Sequence, residues 1–280
     1  MNSKSKNRIK LSLLAAALLF SSPSLFAQSG STSGGTANDL ENGKDKTPTN
    51  YENTVNMASP HETDAFKSFS AIPDSNFEKK TKSGEDFLHK YPNSAYAPEV
   101  YSTLSVLYIQ NKQPDKGYAD GEKAIELKPN DVRTMANLSQ AMARLNNPND
   151  PDAAQKLEKA EDYAKKAIQL TPTLPKPKEV SDQDFAAASN QTLAEAHSAL
   201  GLINVRRAKY DAAIPDLQEA AKLDDGKDIT NYYLLGVAYA NSSHYNEAVE
   251  AFNKCAASPG SLQQPCQNGA AEAQKHVTSK

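Results

Sequence analysis

A pattern of large and small residues recurs along this chain of 280 residues and constrains its fold more than any other feature. Four segments begin with a large residue that is followed, three and four positions later, by Leu and then by Ser or Gly. They start at Tyr101, Met135, His197 and Tyr232, and the first two and last two starts are 34 and 35 residues apart. A unit of this length cannot bury its apolar face alone and must stack on its neighbours. We therefore predict a row of similar units rather than one large core.

Each segment continues into a second stretch at helical spacing that starts from a small residue. Gly117, Ala213 and Ala248 follow the Leu of their segments by 13 residues, whereas Ala160 follows its Leu by 22. The additional residues of that segment are rich in Asn, Asp and Pro, which favour turns. The helical spacing of both stretches predicts that each unit is helical.

The pattern resembles the tetratricopeptide repeat, a helix-turn-helix unit of about 34 residues. The resemblance implies that each unit is a pair of packed helices, in which large residues supply buried apolar area and small residues such as Gly236 and Ala248 let the two backbones approach. The resemblance implies an all-α fold, a right-handed superhelix (α-solenoid) of about four to five such units with a C-terminal capping helix. The predicted domain spans residues 61–280, divided into a degenerate unit at 61–97, units at 98–131, 132–174, 194–227 and 228–260, and the cap at 261–280.

Two further segments bear on this assignment. Residues 91–98, Tyr-Pro-Asn-Ser-Ala-Tyr-Ala-Pro, resemble the repeat junctions of bacterial periplasmic tetratricopeptide proteins of the outer-membrane assembly and Tol-associated type. Residues 173–193 are an insertion between two units. Ser181 is predicted to cap a short helix that runs through Phe185 to Ser189, since Ser is a favoured residue at helix N-termini.

The first 27 residues have the order of a cleavable export signal. Basic residues fill the start, an apolar stretch interrupted by one Ser runs from Leu11 to Phe20, and Ala27 ends the segment. Retention as a membrane anchor is the alternative, but a span needs about 20 predominantly apolar residues and this segment contains Pro23. We expect a periplasmic or secreted protein without membrane insertion after cleavage. Residues 28–60, poor in large apolar residues, are predicted to be a disordered Ser/Gly/Asn-rich linker.

Charge and motifs argue against catalysis and nucleic-acid binding. The formal net charge is -3, so the chain lacks the basic excess of a nucleic-acid binder. Its five His residues are scattered without metal-ligand spacing, and two Cys residues are too few for a four-Cys metal site. The sequence has no Gly-rich phosphate loop and no Gly-x-Ser-x-Gly motif. We predict a protein that is not an enzyme and has no cofactor and no metal.

The two cysteines, Cys255 and Cys266, are predicted to form a disulfide. Cys255 falls in the second helix of the last unit, and Cys266 lies near the start of the cap. Export would place both in a compartment that permits oxidation. The alternative is that Cys255 is simply a buried small residue at a position that other units fill with Ala.

The resemblance also implies a concave groove, formed by the first helix of each unit, that binds a peptide or protein segment. The residues placed on this groove are Val106, Ile109, Arg133, Gln140, Arg144, Leu202, Val205, Arg206, Tyr233 and Val237. Tetratricopeptide proteins that grip the carboxylate end of chaperones carry Lys and Asn at inner positions. Here those positions include Ser102, Ala136, Ser198 and Tyr233, which argues against such a clamp. Aliphatic residues with three Arg suit an amphipathic or partly acidic segment.

We interpret the chain as a non-enzymatic protein–protein interaction scaffold in the bacterial cell envelope. The first alternative is a self-associating structural component of an envelope assembly or secretion complex, which a native mass measurement would distinguish by a stable homo-oligomer. The second is an enzyme with unfamiliar geometry. A further alternative for the ten groove residues is that they only face solvent. The sequence leaves the identity of the partner and the oligomeric state open.

Overall fold

The computed structural model describes residues 58–278 of the chain. This part contains eleven α-helices, one short 3-10 helix at Thr171–Thr173 and no β-strand. The α-helices are α1 (Pro60–Ser70), α2 (Phe77–Lys90), α3 (Ala97–Gln110), α4 (Pro114–Leu127), α5 (Val132–Leu145), α6 (Ala153–Leu170), α7 (Asp182–Arg206), α8 (Tyr210–Leu223), α9 (Ile229–Asn241), α10 (Tyr245–Ala256) and α11 (Gln263–Thr278). The predicted all-α fold of packed helix pairs is confirmed. The predicted export signal, and all but the last residues of the predicted linker, lie outside the described residues.

The helices form two compact units. The N-terminal unit comprises α1–α4 together with residues 177–181, and the C-terminal unit comprises α5–α11. Within the N-terminal unit, α1 packs on α2, α2 on α3, and α3 on α4. Within the C-terminal unit, each first helix (α5, α7, α9) packs on the second helix that follows it (α6, α8, α10), and α7 also packs on α5, α6 and α9.

The turn between the two helices of a pair has the same backbone in three repeats. Lys112, Ala208 and Ser243 each lie two residues beyond a first helix and have positive φ values of 61°, 54° and 65°. In each case the following backbone N–H donates to a carbonyl five residues earlier, over 2.8, 2.8 and 2.9 Å. This left-handed turn satisfies carbonyls that the end of a helix would otherwise leave unpaired. Helices α5 and α6 are joined instead by the longer segment 146–152.

Small residues bring the helices of the C-terminal unit close together. A Cβ atom at Gly236 of α9 would lie 2.5 Å from the ring of Phe252, and one at Gly269 of α11 would lie 2.7 Å from the same ring. Phe252 of α10 is therefore packed between α9 and α11, and it is fully buried. Helix α11 covers α10 as the first helix of a further repeat would, which is the role of a cap.

The N-terminal unit has a core of larger side chains. Its central cluster consists of Phe69, Phe87, Val100, Leu104, Leu107 and Tyr108. Beside this cluster, Phe66 stacks on Tyr96 with 4.2 Å between ring centroids. The buried Nζ of Lys80 donates to the carbonyl of Ile72 over 2.7 Å, just beyond the end of α1. Aromatic contacts thus attach α1 and α2 to the first clear repeat.

Helix α7 corrects the prediction for the insertion at 173–193. The sequence predicts a short, separate helix through Phe185 to Ser189, but α7 is one helix of 25 residues from Asp182 to Arg206. No Pro or Gly lies between Asp182 and Leu200, so nothing in that stretch ends the helix. The insertion therefore lengthens a first helix instead of forming an additional element.

The predicted disulfide between Cys255 and Cys266 is present. It joins α10 to α11, with 5.9 Å between the two Cα atoms. Both cysteines are fully buried. The bond therefore fixes the cap to the last repeat from inside the contact between the two helices.

Candidate functional site

Four of the residues predicted to line the groove lie in the core of the C-terminal unit. Leu202, Val205, Tyr233 and Val237 are between 1% and 6% exposed. Because α7 packs on α5 and on α9, these side chains lie between neighbouring helices rather than on an open surface. The prediction that they offer surface to a partner is corrected by this burial.

The other six predicted groove residues keep some exposure. In the N-terminal unit, Val106 and Ile109 are partly buried, and the side chain of Ile109 packs against Gly117 of α4. In the C-terminal unit, Arg133 is exposed, whereas Gln140, Arg144 and Arg206 are partly exposed. The accessible predicted residues of the C-terminal unit are therefore all polar.

Arg144 and Asp228 form an ion pair that joins α5 to the start of α9. The Asp228 side chain is 8% exposed and that of Arg144 is 25% exposed. Asp228 also caps α9, because its Oδ1 accepts from the backbone N–H of Thr230 over 3.0 Å. Burial would raise the pKa of Asp228, but the charge of Arg144 and the bonds from Thr230 outweigh it and hold this pKa below its usual value.

Arg206, the last residue of α7, reaches back to the end of α5. Its Nη2 donates to the carbonyl of Arg144 over 3.1 Å. Its Nε is buried and has no hydrogen-bond partner in the described part of the chain. Burial lowers the pKa of the Arg206 guanidinium, because the charged form is poorly solvated at this position.

Glu195 lies on α7, three turns before Arg206. It is partly buried and accepts a hydrogen bond from Nε2 of Gln191 over 3.1 Å. Burial raises the pKa of Glu195 to about 7, against the opposing effect of Arg133 and Arg144. Glu195 therefore titrates close to neutral pH, unlike an exposed glutamate.

We call Arg144, Glu195, Arg206 and Asp228 the polar cluster. Sequence reasoning identified the two arginines and missed both carboxylates. Asp228 precedes the apolar start of α9 and could have been found as an N-cap residue. Glu195 precedes Ser198 by three residues and shares its helix face, but the repeat pattern starts after it, at His197.

Residues 58–278 contain neither a metal-site arrangement nor a membrane-spanning helix. No group of three or more His, Cys, Asp or Glu side chains in this range is arranged to hold a metal ion. None of its helices combines the length and the apolar character needed to cross a bilayer.

Comparison with known families gives a match in each of the two units. The family model of the tetratricopeptide repeat matches residues 98–131, which contain α4 and all but the first residue of α3, and residues 229–258, which contain α9 and α10. The chain contains tetratricopeptide repeats at these two segments. Such repeats support the general role of a protein–protein interaction scaffold. No curated protein matches the sequence significantly.

Several solved structures resemble this chain. One is a MamA protein, 18% identical, for which the match covers 73% of this chain and 96% of that one with a TM-score of 0.49. Another is a thermophilic TPR protein from Thermus thermophilus, 17% identical, for which the match covers 76% and 98% with a TM-score of 0.49. An assembly chaperone of RpL4 is 9% identical, and the match covers 78% and 97% with a TM-score of 0.45.

Proposed function

We propose that this chain is a non-enzymatic protein–protein interaction scaffold of the bacterial cell envelope, which binds a peptide or protein segment on the first helices of its C-terminal unit. The observation that carries the proposal is the match of two separate segments to the tetratricopeptide repeat. Repeats of this kind present side chains of their first helices to a partner. The partner is not implied by the fold.

The polar cluster supports the choice of the first helices as the binding face. Arg144, Glu195 and Arg206 are partly exposed and lie on α5 and α7. Arg144 is paired with Asp228, whereas Arg206 donates to a neutral carbonyl and keeps a buried Nε without a partner among the described residues. A partly buried charge without an ionic partner is unfavourable, so the presence of Arg206 supports a role in binding.

A photo-reactive amino acid placed on α5 tests this face in living cells. Arg133 is exposed on α5, and Lys166 is exposed on the second helix α6 and serves as the matched control. We expect cross-links to one partner protein from position 133 and none from position 166. Equal cross-linking from both positions would contradict binding at the first helices. Cross-links from position 133 to a second copy of the chain would favour the self-associating structural component instead.

The proposed location in the cell envelope is supported by the order of residues in the first 27 positions. The Cys255–Cys266 disulfide also suits a compartment outside the reducing cytosol. Fractionation and intact-mass measurement test the location: the protein should be in the periplasmic fraction or the medium and begin at Gln28. A cytosolic protein that retains Met1–Lys10 and two reactive thiols under denaturing, non-reducing conditions would refute it.

A further inference from the structure

The polar cluster contains one cation that no carboxylate of residues 58–278 contacts. We propose that this cation, Arg206, binds a carboxylate side chain of an acidic partner segment. This inference rests on the proposed function, because it names the chemistry of the partner at the same face. It also selects Arg206 from the three arginines, with Arg133 and Arg144, that the sequence analysis placed on the groove.

The contacts of Arg206 leave most of its guanidinium unused. Within the described part of the chain its hydrogen bond is the one from Nη2 to the Arg144 carbonyl, while Nε is buried and unpaired. A guanidinium has five N–H donors and keeps its charge at any physiological pH. A buried donor without an acceptor is unfavourable, so a ligand that supplies an acceptor would be favoured at this position.

Two neighbouring arginines differ from Arg206 in this respect. Arg144 is paired with Asp228. Arg207, the next residue along the chain, is paired with Glu161 of α6. Both ion pairs balance the charge of the arginine within the C-terminal unit, whereas the acceptor of Arg206 among the described residues is a neutral carbonyl. Arg207 is therefore a matched control that differs from Arg206 in its pairing and not in its residue type.

A carboxylate is the acceptor that fits Arg206 best. Its two oxygens match the planar fork of a guanidinium, and the bonds are strengthened by charge. Glu195 does not fill this role, since its hydrogen bond comes from Gln191. Because Nε is buried, Arg206 must turn outward and release the Arg144 carbonyl when it takes the carboxylate of a partner. The partner segment is thus one that carries Asp or Glu.

The experiment uses a random peptide library displayed on phage and the full chain, purified from a host that exports it. Selection is carried out on wild type, Arg206→Gln and Arg207→Gln, with circular dichroism melts to verify folding. We expect the peptides that wild type selects to be enriched in Asp and Glu. The most enriched peptide is then synthesised with its acidic residues intact and with each one changed to the amide, and binding is measured by fluorescence anisotropy.

Arg206→Gln should weaken binding of the acidic peptide about tenfold or more, and Arg207→Gln should change it by less than about twofold. In the Arg206→Gln background, changing the critical acidic residue to its amide should have little further effect, as in a double-mutant cycle. Arg206→Lys keeps the charge but lacks the planar guanidinium that binds two carboxylate oxygens, so it should bind the acidic peptide with intermediate affinity. If Arg206→Gln does not fold, Arg206→Lys replaces it in the cycle.

Two results would overturn the assignment of Arg206 and leave the proposed function standing. One is a set of selected peptides without acidic residues, and the other is equal binding of the acidic peptide by wild type and Arg206→Gln. Failure of the wild type to select any peptide would count against the proposed function itself.

Discussion

The two units share paired helices and differ in the side chains that fill them. The core of the N-terminal unit is dominated by large residues, with aromatic rings from α1, α2 and α3 in contact. The C-terminal unit instead buries a series of alanines at zero exposure: Ala160, Ala164, Ala167, Ala199, Ala213, Ala220, Ala238 and Ala248. Both kinds of core are compatible with the repeat, since the family model matches one segment in each unit.

One ion pair from each unit gives a second comparison. In the N-terminal unit Lys116 donates to Glu85 over 2.6 Å and to the Tyr108 hydroxyl over 2.8 Å, and the side chains of Lys116 and Glu85 are about half exposed. In the C-terminal unit the ion pair of Arg144 and Asp228 is mostly buried. Ion pairs of similar geometry should therefore contribute differently to stability.

The largest expected effect comes from removing the central ring of each core. Phe69→Ala in the N-terminal unit and Phe252→Ala in the C-terminal unit should each lower the free energy of unfolding by about 3–5 kcal/mol, because both rings are almost completely buried. Hydrogen exchange read by mass spectrometry should show lost protection in α1–α3 for the first variant and in α9–α11 for the second.

Leu127→Ala is the control for this pair, since Leu127 is 43% exposed and its loss should leave exchange nearly unchanged. If Phe69→Ala and Phe252→Ala gave the same exchange pattern along the whole chain, the division into two separately packed cores would be wrong.

A smaller effect is expected from breaking the two ion pairs. Arg144→Gln leaves the buried carboxylate of Asp228 without its cation and should lower the free energy of unfolding by about 2–3 kcal/mol. Lys116→Gln removes a half-exposed cation and should lower it by less than about 1 kcal/mol, with a smaller difference at high salt. Chemical denaturation of both variants at low and high ionic strength measures this contrast. Equal losses, or a loss for Arg144→Gln that disappears in salt, would contradict it.

The smallest of the three effects concerns pH. The pKa of Glu195 is raised to about 7 by burial, above its unfolded value, so the folded protein holds this proton more tightly. Ionising the buried carboxyl lowers the free energy of unfolding. This loss is absent below the pKa of Glu195 in the unfolded chain, grows as the pH rises toward 7 and is complete above it. The full shift of this pKa corresponds to about 3–4 kcal/mol. Because the Glu195 side chain is partly exposed, solvent screening reduces this, and Glu195→Gln should remove a pH-dependent loss of stability on the order of 1–2 kcal/mol.

A carboxyl of the N-terminal unit provides the comparison. Burial raises the pKa of Asp120 of α4 to about 6. Asp120→Asn should therefore also reduce the fall of the free energy of unfolding with pH, over a pH range that ends lower than the range for Glu195. Denaturation midpoints between about pH 4.5 and 8 measure both slopes, with the exposed Glu158→Gln as the control. A Glu195→Gln profile parallel to wild type would show that Glu195 is not buried as described.

The helix pairs could be predicted from the sequence because residue spacing determines which side chains share a helix face. The pattern assigns Gly236 and Ala248 to close contacts, and both are buried in α9 and α10. Spacing does not reveal how closely neighbouring first helices lie. The same pattern therefore places Leu202 and Val237 on a surface, whereas both are buried.

Local sequence patterns could not predict the polar cluster, for a related reason. Arg144 and Asp228 are 84 residues apart in sequence, and their contact depends on the packing of α5, α7 and α9. The length of α7 was also missed, because a repeat pattern indicates where a unit starts and not how far a helix extends before it.

The left-handed turn has a consequence for how this chain could be altered. Three repeats place Lys112, Ala208 and Ser243 at the same backbone position, so the geometry of the joint does not depend on one side chain. The second repeat replaces that joint with the segment 146–152 while α5 and α6 still pack on each other. The turn between paired helices is thus a site where this chain already accommodates an insertion. Loops inserted after Ala208 or Ser243 should be tolerated, because a longer connection adds only a small loop-closure entropy cost.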